Sequence, residues 1–121
     1  MTKLFAIAIP ILPGKKDQWK KFADDLKGRY KKEFNESRKN LGVQERTFLQ
    51  STPNGDFVLV TLEGEKPEEA FTKFAEQSDE FTKWFSQQVK DIHGIDLAQK
   101  SVVPLPELVV ETEPIAEHAT V

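Results

Sequence analysis

The sequence predicts an α+β domain with the ferredoxin-like order β-α-β-β-α-β, in which two helices cover one face of a four-stranded antiparallel sheet. Short segments with apolar residues on alternate or successive positions indicate strands, and two long amphipathic stretches between them indicate helices. An Asn-Gly pair at 54–55 marks a hairpin turn. At 121 residues the chain is predicted to be one domain over residues 1–111, followed by a flexible acidic tail over 112–121.

Composition excludes several classes of function. The chain has no cysteine, which excludes disulfides, thiolate catalysis and cysteine-based metal sites and favours a reducing compartment. We therefore expect a cytoplasmic protein. A net charge of -3 argues against nucleic acid as a partner, and no apolar run approaches the roughly 20 residues of a membrane span. The apolar run 4–12 faintly resembles a signal peptide, but it is short and Pro13-Gly14 follows it, which favours a strand.

Four strands are predicted. They cover residues 3–9, 43–50, 57–63 and 108–111. The third strand has apolar residues on both faces and should be central, and the first is also apolar on both faces.

The first helix is predicted over residues 16–40. Its buried stripe recurs at spacings of three and four, and consists of Trp19, Phe22, Leu26, Tyr30 and Phe34. Gly28 within it indicates a bend or a close contact with the sheet. The many lysines and arginines of this helix, Arg38 included, are interpreted as a solvated face, with anion or nucleic-acid binding as the alternative.

The second helix is predicted to begin at 65–69, to restart after a kink at Ser78-Asp79, and to end at Gly94. Its buried stripe consists of Ala70, Phe71, Phe74, Phe81, Phe85, Val89 and Ile92.

Two helices can cover only one face of such a sheet. Because the first and third strands are apolar on both faces, the uncovered face would be an association site. We therefore expect a homodimer in which two sheets pack face to face.

Residues 5–15, 41–56 and 84–97 resemble the dimeric α+β barrel superfamily, over roughly 3–111. It includes antibiotic-biosynthesis-type monooxygenases, haem-degrading monooxygenases and many small uncharacterised bacterial proteins, and the last are the most alike. The resemblance implies a dimer with a ligand pocket between each sheet and its helices. Cofactor-free members use Asn and Trp in the pocket, and no Asn of this chain matches. Haem-degrading members use a helix-borne His with Asn and Trp nearby, to which His93 and Trp84 correspond loosely.

Two residues are candidate catalytic groups. His93 precedes Gly94 at a helix end, where the helix dipole favours a protonated imidazole. It is a ligand or general acid–base group, or else a cap that bonds a carbonyl or Asp96. Glu45 would form a carboxylate pair with Asp96, or a pair with His93, only if the fold brings them together.

Further residues are candidate ligand contacts. On the second strand, Glu45 and Thr47 share one face, whereas Arg46 and Gln50 share the other. These polar residues line a pocket or a wet dimer interface, or mark an edge strand protected by charge. The remaining candidates are Tyr30, Trp84 and Asp96.

No phosphate-binding loop, nucleophile elbow or metal-ligand spacing is present in the sequence. Two hypotheses follow. In the first, a homodimer binds, or oxidises, a flat apolar molecule between helices and sheet. In the second, the same dimer is a non-catalytic structural or interaction protein whose pocket is filled by Phe and Trp. The sequence requires no cofactor, and haem or flavin is left open by the resemblance alone.

Overall fold

The computed structural model describes residues 2–97 and 106–115. It is an α+β arrangement of a three-stranded sheet and four α-helices within those ranges. The elements, in chain order, are β1 (Lys3–Pro10), α1 (Lys16–Lys27), α2 (Lys31–Asn40), β2 (Val43–Thr52), β3 (Gly55–Gly64), a single 3₁₀ turn (Pro67–Glu69), α3 (Ala70–Ala75) and α4 (Glu80–His93).

The sheet is antiparallel, with strand order β1-β3-β2. The central position of β3 is confirmed, and β2 is an edge strand as one interpretation of its charges predicted. Pro53 and Asn54 form the hairpin loop between β2 and β3, and Gly55 adopts φ 129° opposite Thr52. The register places Ile7 of β1 and Thr47 of β2 on either side of Val60, so these three side chains share a face.

The predicted first helix is two helices, because the chain breaks at Gly28. The amide of Gly28 bonds to the Asp25 carbonyl at 3.3 Å, and α2 begins three residues later. Apart from proline, glycine is the residue that most disfavours a continuous helix. The position of the bend was therefore predicted, but the full break into two helices was not. Gly42, with φ 74°, follows α2 and ends the helical path before β2.

The second predicted helix is also divided, at the position where a restart was expected. After α3 ends, the Asp79 carboxylate accepts hydrogen bonds from the Thr82 amide at 3.1 Å and the Thr82 hydroxyl at 2.7 Å. This N-cap begins α4. Gly94 ends α4 in the left-handed conformation, at φ 73°.

All the α-helices lie on one face of the sheet, and their apolar stripes form the core. Of the stripes predicted from helical spacing, eight side chains are buried: Trp19, Phe22, Ala70, Phe74, Phe81, Phe85, Val89 and Ile92. The other four, Leu26, Tyr30, Phe34 and Phe71, are only partly buried. The buried strand residues Val43, Val58 and Leu62 complete this layer.

Among residues 2–97 and 106–115, no helix covers the opposite face of the sheet. The register aligns Ala8, Leu59 and Phe48 in one apolar row across the three strands. Phe48 is 53% exposed and Leu4 is 61% exposed. We call the outward surface formed by Leu4, Ala6, Ala8, Phe48 and Leu59 the open face.

The four-stranded sheet is not confirmed. Residues 108–111 belong to no strand, and Leu108, Val109 and Val110 are 70%, 82% and 83% exposed. A run of apolar residues forms a strand only when its backbone groups bond to the free edge of a sheet. In the described part of this chain, residues 108–111 do not pair with either edge of the sheet. Residues 112–115 are likewise exposed and in no helix or strand, and the rest of the predicted tail lies outside the described residues.

Within residues 2–97 and 106–115, no helix has the length and apolar character that a membrane span requires.

Candidate functional site

A cavity of about 470 Å³ lies between the sheet and the helices. This volume is in the range of small-molecule sites. Its wall is mainly aromatic and aliphatic, with inward residues of every strand and every α-helix, including Ile7, Ile9, Trp19, Phe22, Phe34, Phe71, Phe74, Phe85, Val58, Val60 and Val89. Small side chains at Ala23 and Ala70 form part of the wall where larger ones would occupy the space.

A buried ion pair lies in this apolar wall. Arg38 Nε donates to Glu45 Oε1 at 2.6 Å, and the two side chains are only 12% and 9% exposed. Glu45 Oε2 accepts from the Thr47 hydroxyl at 2.8 Å, and Arg38 Nη1 donates to Ser37 Oγ at 2.9 Å. Both carboxylate oxygens of Glu45 are therefore engaged, as a buried charge requires.

Three aromatic rings hold the Arg38 guanidinium in place. Its central carbon lies 4.8 Å from the ring centre of Phe34, 5.1 Å from that of Phe74 and 4.7 Å from that of Phe85. Such contacts favour a cation that has lost part of its hydration. Among the described residues, Nε donates to Glu45 and Nη1 to Ser37, which leaves the two N–H donors of Nη2 without a partner there.

His93 forms another part of the cavity wall. Its Nδ1 lies 2.8 Å from the Pro10 carbonyl oxygen and can only donate to it, so Nε2 of the neutral ring is an acceptor. Burial lowers the pKa of His93, and the bond to Pro10 opposes this only in part. The helix end was expected to favour a protonated imidazole; in the structure burial disfavours the charged form of His93.

The cavity wall follows α4 over two turns of helix. Phe85, Val89 and His93 all line it at successive intervals of four residues, and eight residues of helix rise about 12 Å. Phe85 contacts Arg38, so the ion pair and His93 lie towards opposite ends. Between them the wall is apolar.

Glu45 and His93, the catalytic candidates predicted from the sequence, both line the cavity, but their hydrogen bonds go to other residues. The hydrogen bonds of Glu45 go to Arg38 and Thr47, whereas His93 bonds Pro10. Neither the Glu45–His93 pair nor a Glu45–Asp96 pair is formed among these contacts. Asp96 follows α4 and is not among the described wall residues.

The predicted ligand contacts lie elsewhere. Tyr30 and Trp84 stack on each other with ring centres 4.2 Å apart, outside the described wall. Arg46 lies on the opposite side of the sheet, where Nη1 donates to Glu63 at 3.0 Å. Gln50 is exposed on that same side.

Sequence reasoning missed Arg38 as a wall residue. Thr47 was expected on the same strand face as Glu45, among polar residues that line a pocket or a wet dimer interface or mark an edge strand, and it lines the cavity. Arg38 is four residues after Phe34, so it continues the buried stripe of the first predicted helix. Its charge led to its assignment to the solvated face, although an arginine on a buried stripe is a signal for a buried partner.

Comparisons with family models, curated proteins and solved structures gave no match to this chain. The resemblance to dimeric α+β barrels is therefore untested. Among residues 2–97 and 106–115, no group of three or more His, Asp or Glu side chains is arranged to hold a metal ion.

Proposed function

We propose that this protein binds a small, flat, largely apolar molecule in the cavity between its helices and its sheet. The single observation that carries the proposal is the 470 Å³ cavity itself. The interior of a protein is normally packed about as densely as a crystal of small organic molecules, with few voids larger than a water molecule. An unfilled volume lined by six aromatic residues favours a ligand over the alternative of a pocket filled by the protein's own Phe and Trp.

The polar groups of the wall supply orientation. Arg38 Nη2 is a donor beside a compensating carboxylate, and His93 Nε2 is an acceptor towards the other end. A few fixed polar groups within an apolar wall are typical of small-molecule sites. Sequence analysis named His93 and Glu45 as catalytic candidates; in this proposal His93 accepts a hydrogen bond from the ligand and Glu45 fixes Arg38.

Binding can be tested with the neutral dye N-phenyl-1-naphthylamine, whose fluorescence rises in apolar surroundings. We expect saturable binding by the unmodified protein and loss of binding in Ala23→Phe, which places a ring in the cavity. Lys21→Phe adds the same ring to the exposed side of α1 and should bind the dye normally. Equal dye binding by both variants would contradict the proposal.

We also infer that the protein is a homodimer that covers the open face. Its row of Ala8, Leu59 and Phe48 is apolar, and the charges beside it, Arg46 and Glu63, already neutralise each other. A second copy would therefore meet an apolar surface without an unpaired charge. The exposed Leu108, Val109 and Val110 are a further apolar surface that assembly would bury as the fourth strand.

Light scattering tests the dimer. The unmodified chain should have twice the monomer mass at micromolar concentration, and Phe48→Glu should have the monomer mass. Asn35→Glu adds the same charge on exposed α2 and should leave the dimer intact. A monomeric unmodified chain would refute this part of the proposal.

A further inference from the structure

We propose that the ligand is an apolar carboxylic acid whose body fills the cavity and whose carboxylate lies at the mouth against Lys20. This rests on the proposed function, because it assigns the chemical class of the ligand in that same cavity. It gives a role to Lys20, a residue outside the ion pair and the histidine described above.

The mouth of the cavity is identified by the exposed members of its wall. Among the described wall residues these are Lys20, Asp24 and Lys27 of α1, together with Thr47 of β2. The other wall residues are buried or half-buried. The cavity therefore opens between α1 and β2, and a ligand group placed there keeps part of its hydration.

Among the described residues, Lys20 differs from the other lysines of α1 in having no carboxylate within ion-pair distance. Lys16 lies 3.9 Å from Asp56, Lys21 lies 3.8 Å from Asp25, and Lys27 lies 3.5 Å from Asp24. Across residues 2–97 and 106–115, no carboxylate lies within 4 Å of the Lys20 ammonium.

The charges around the cavity are otherwise balanced. Arg38 is paired with Glu45 inside, and Lys27 is paired with Asp24 at the mouth. Among the described wall residues, Lys20 is the charged side chain left without an ion pair, and burial of His93 lowers its pKa and so favours its neutral form. The net charge that a ligand meets is thus positive, and it is located at the opening.

A carboxylate is favoured at the mouth and disfavoured in the interior. Inside, it would lose its hydration without gaining a free cation, because Arg38 is already paired with Glu45. At the mouth it remains partly solvated beside Lys20. The ligand is therefore amphipathic, with its apolar part inside and its acid outside.

Two probes of nearly equal shape test this inference: 2-naphthoate, which is an anion at pH 7, and 2-acetylnaphthalene, which is neutral. Each competes with N-phenyl-1-naphthylamine, and its inhibition constant is measured for the unmodified protein, Lys20→Gln and Lys21→Gln. Lys21 is the matched control, because it is the adjacent exposed lysine and is not in the described wall.

We expect Lys20→Gln to weaken 2-naphthoate about five-fold, the scale of one partly exposed ion pair, and to change 2-acetylnaphthalene less than two-fold. Lys21→Gln should change neither probe. In 0.5 M salt the effect of Lys20→Gln on 2-naphthoate binding should shrink, because the mouth is exposed to solvent and its charges are screened.

The inference is overturned if Lys20→Gln affects both probes equally or neither, or if Lys21→Gln weakens 2-naphthoate as much. If the dye and the neutral probe bind but Lys20→Gln does not weaken 2-naphthoate, the cavity still binds apolar molecules and only the assignment of a carboxylic acid is lost. If neither dye nor probe binds in the cavity, both the proposed function and this inference fail.

Discussion

Arg38 and Glu45 form a 2.6 Å ion pair inside the apolar wall of the cavity, with both side chains nearly removed from solvent. The pair joins α2 to β2, the two elements that flank Gly42. Removing two charges from water costs more than their attraction alone returns, unless the remaining donors and acceptors are satisfied. Here Thr47 and Ser37 satisfy one group on each partner.

The first prediction concerns this pair. Glu45→Gln should lower the free energy of unfolding by about 3 kcal/mol, because it leaves a buried guanidinium without its counter-charge. Glu63→Gln, which breaks the more exposed Arg46–Glu63 pair, should cost less than about 1 kcal/mol. Urea unfolding measures both. Similar losses in the two variants would show that the Arg38–Glu45 pair is not buried.

A second prediction separates the charge from the shape of this site. The double variant Arg38→Met with Glu45→Leu replaces both charges by apolar side chains, so no unpaired charge remains. Its stability should exceed that of Glu45→Gln and return to within about 1–2 kcal/mol of the unmodified protein. A double variant less stable than the single one would mean that the pair is needed for packing rather than for its charge.

The third prediction is a pH dependence of stability due to His93. Burial lowers its pKa in the folded protein below the ordinary value of about 6.5. The unfolded chain therefore binds more protons below that value, so the free energy of unfolding should fall as pH decreases from about 7 to 5. His93→Gln, which has no titratable ring, should have a flatter profile over this range.

The matched control for His93 is His118, the other histidine of the chain. The variant His118→Gln measures how much of the pH dependence comes from the other titratable histidine. Equal slopes for the unmodified protein and His93→Gln would contradict a buried, neutral His93.

The fourth prediction tests the start of α4. Asp79→Ala removes the N-cap that accepts from the amide and hydroxyl of Thr82, and should lower the free energy of unfolding by about 1 kcal/mol. Ser78→Ala, at the exposed neighbouring position, should have little effect. The Thr82 hydroxyl bond lowers the pKa of Asp79 in the folded protein, so this difference should begin to shrink below the ordinary aspartate pKa of about 3.9 and be lost as the pH falls through the lowered pKa.

Much of the layer structure could be predicted from periodicity. Phe85, Val89 and Ile92 were placed on the buried face of the second helix by their spacing, and the turn at Asn54-Gly55 by the residues that it requires. Val109 could not be placed reliably, because its apolar pattern indicates a strand but does not say which sheet edge, or which chain, pairs with it.

The candidate site was predictable only in part. Glu45 and His93 have the chemistry of a site and do line the cavity, but their partners depend on which elements lie side by side. Arg38 is seven residues from Glu45 in sequence, across Gly42, and nothing in local spacing joins them. Arg46 and Gln50 were misplaced because the polar residues of one strand do not reveal which face meets the helices.

The most direct test of the central claim is to locate a bound ligand by nuclear Overhauser effects between 2-acetylnaphthalene and methyl groups of the protein. We predict contacts to the methyl groups of Val58, Val60 and Val89, which line the cavity. Contacts confined to Leu4 and Leu59, on the open face, would place the ligand outside the cavity and contradict the account.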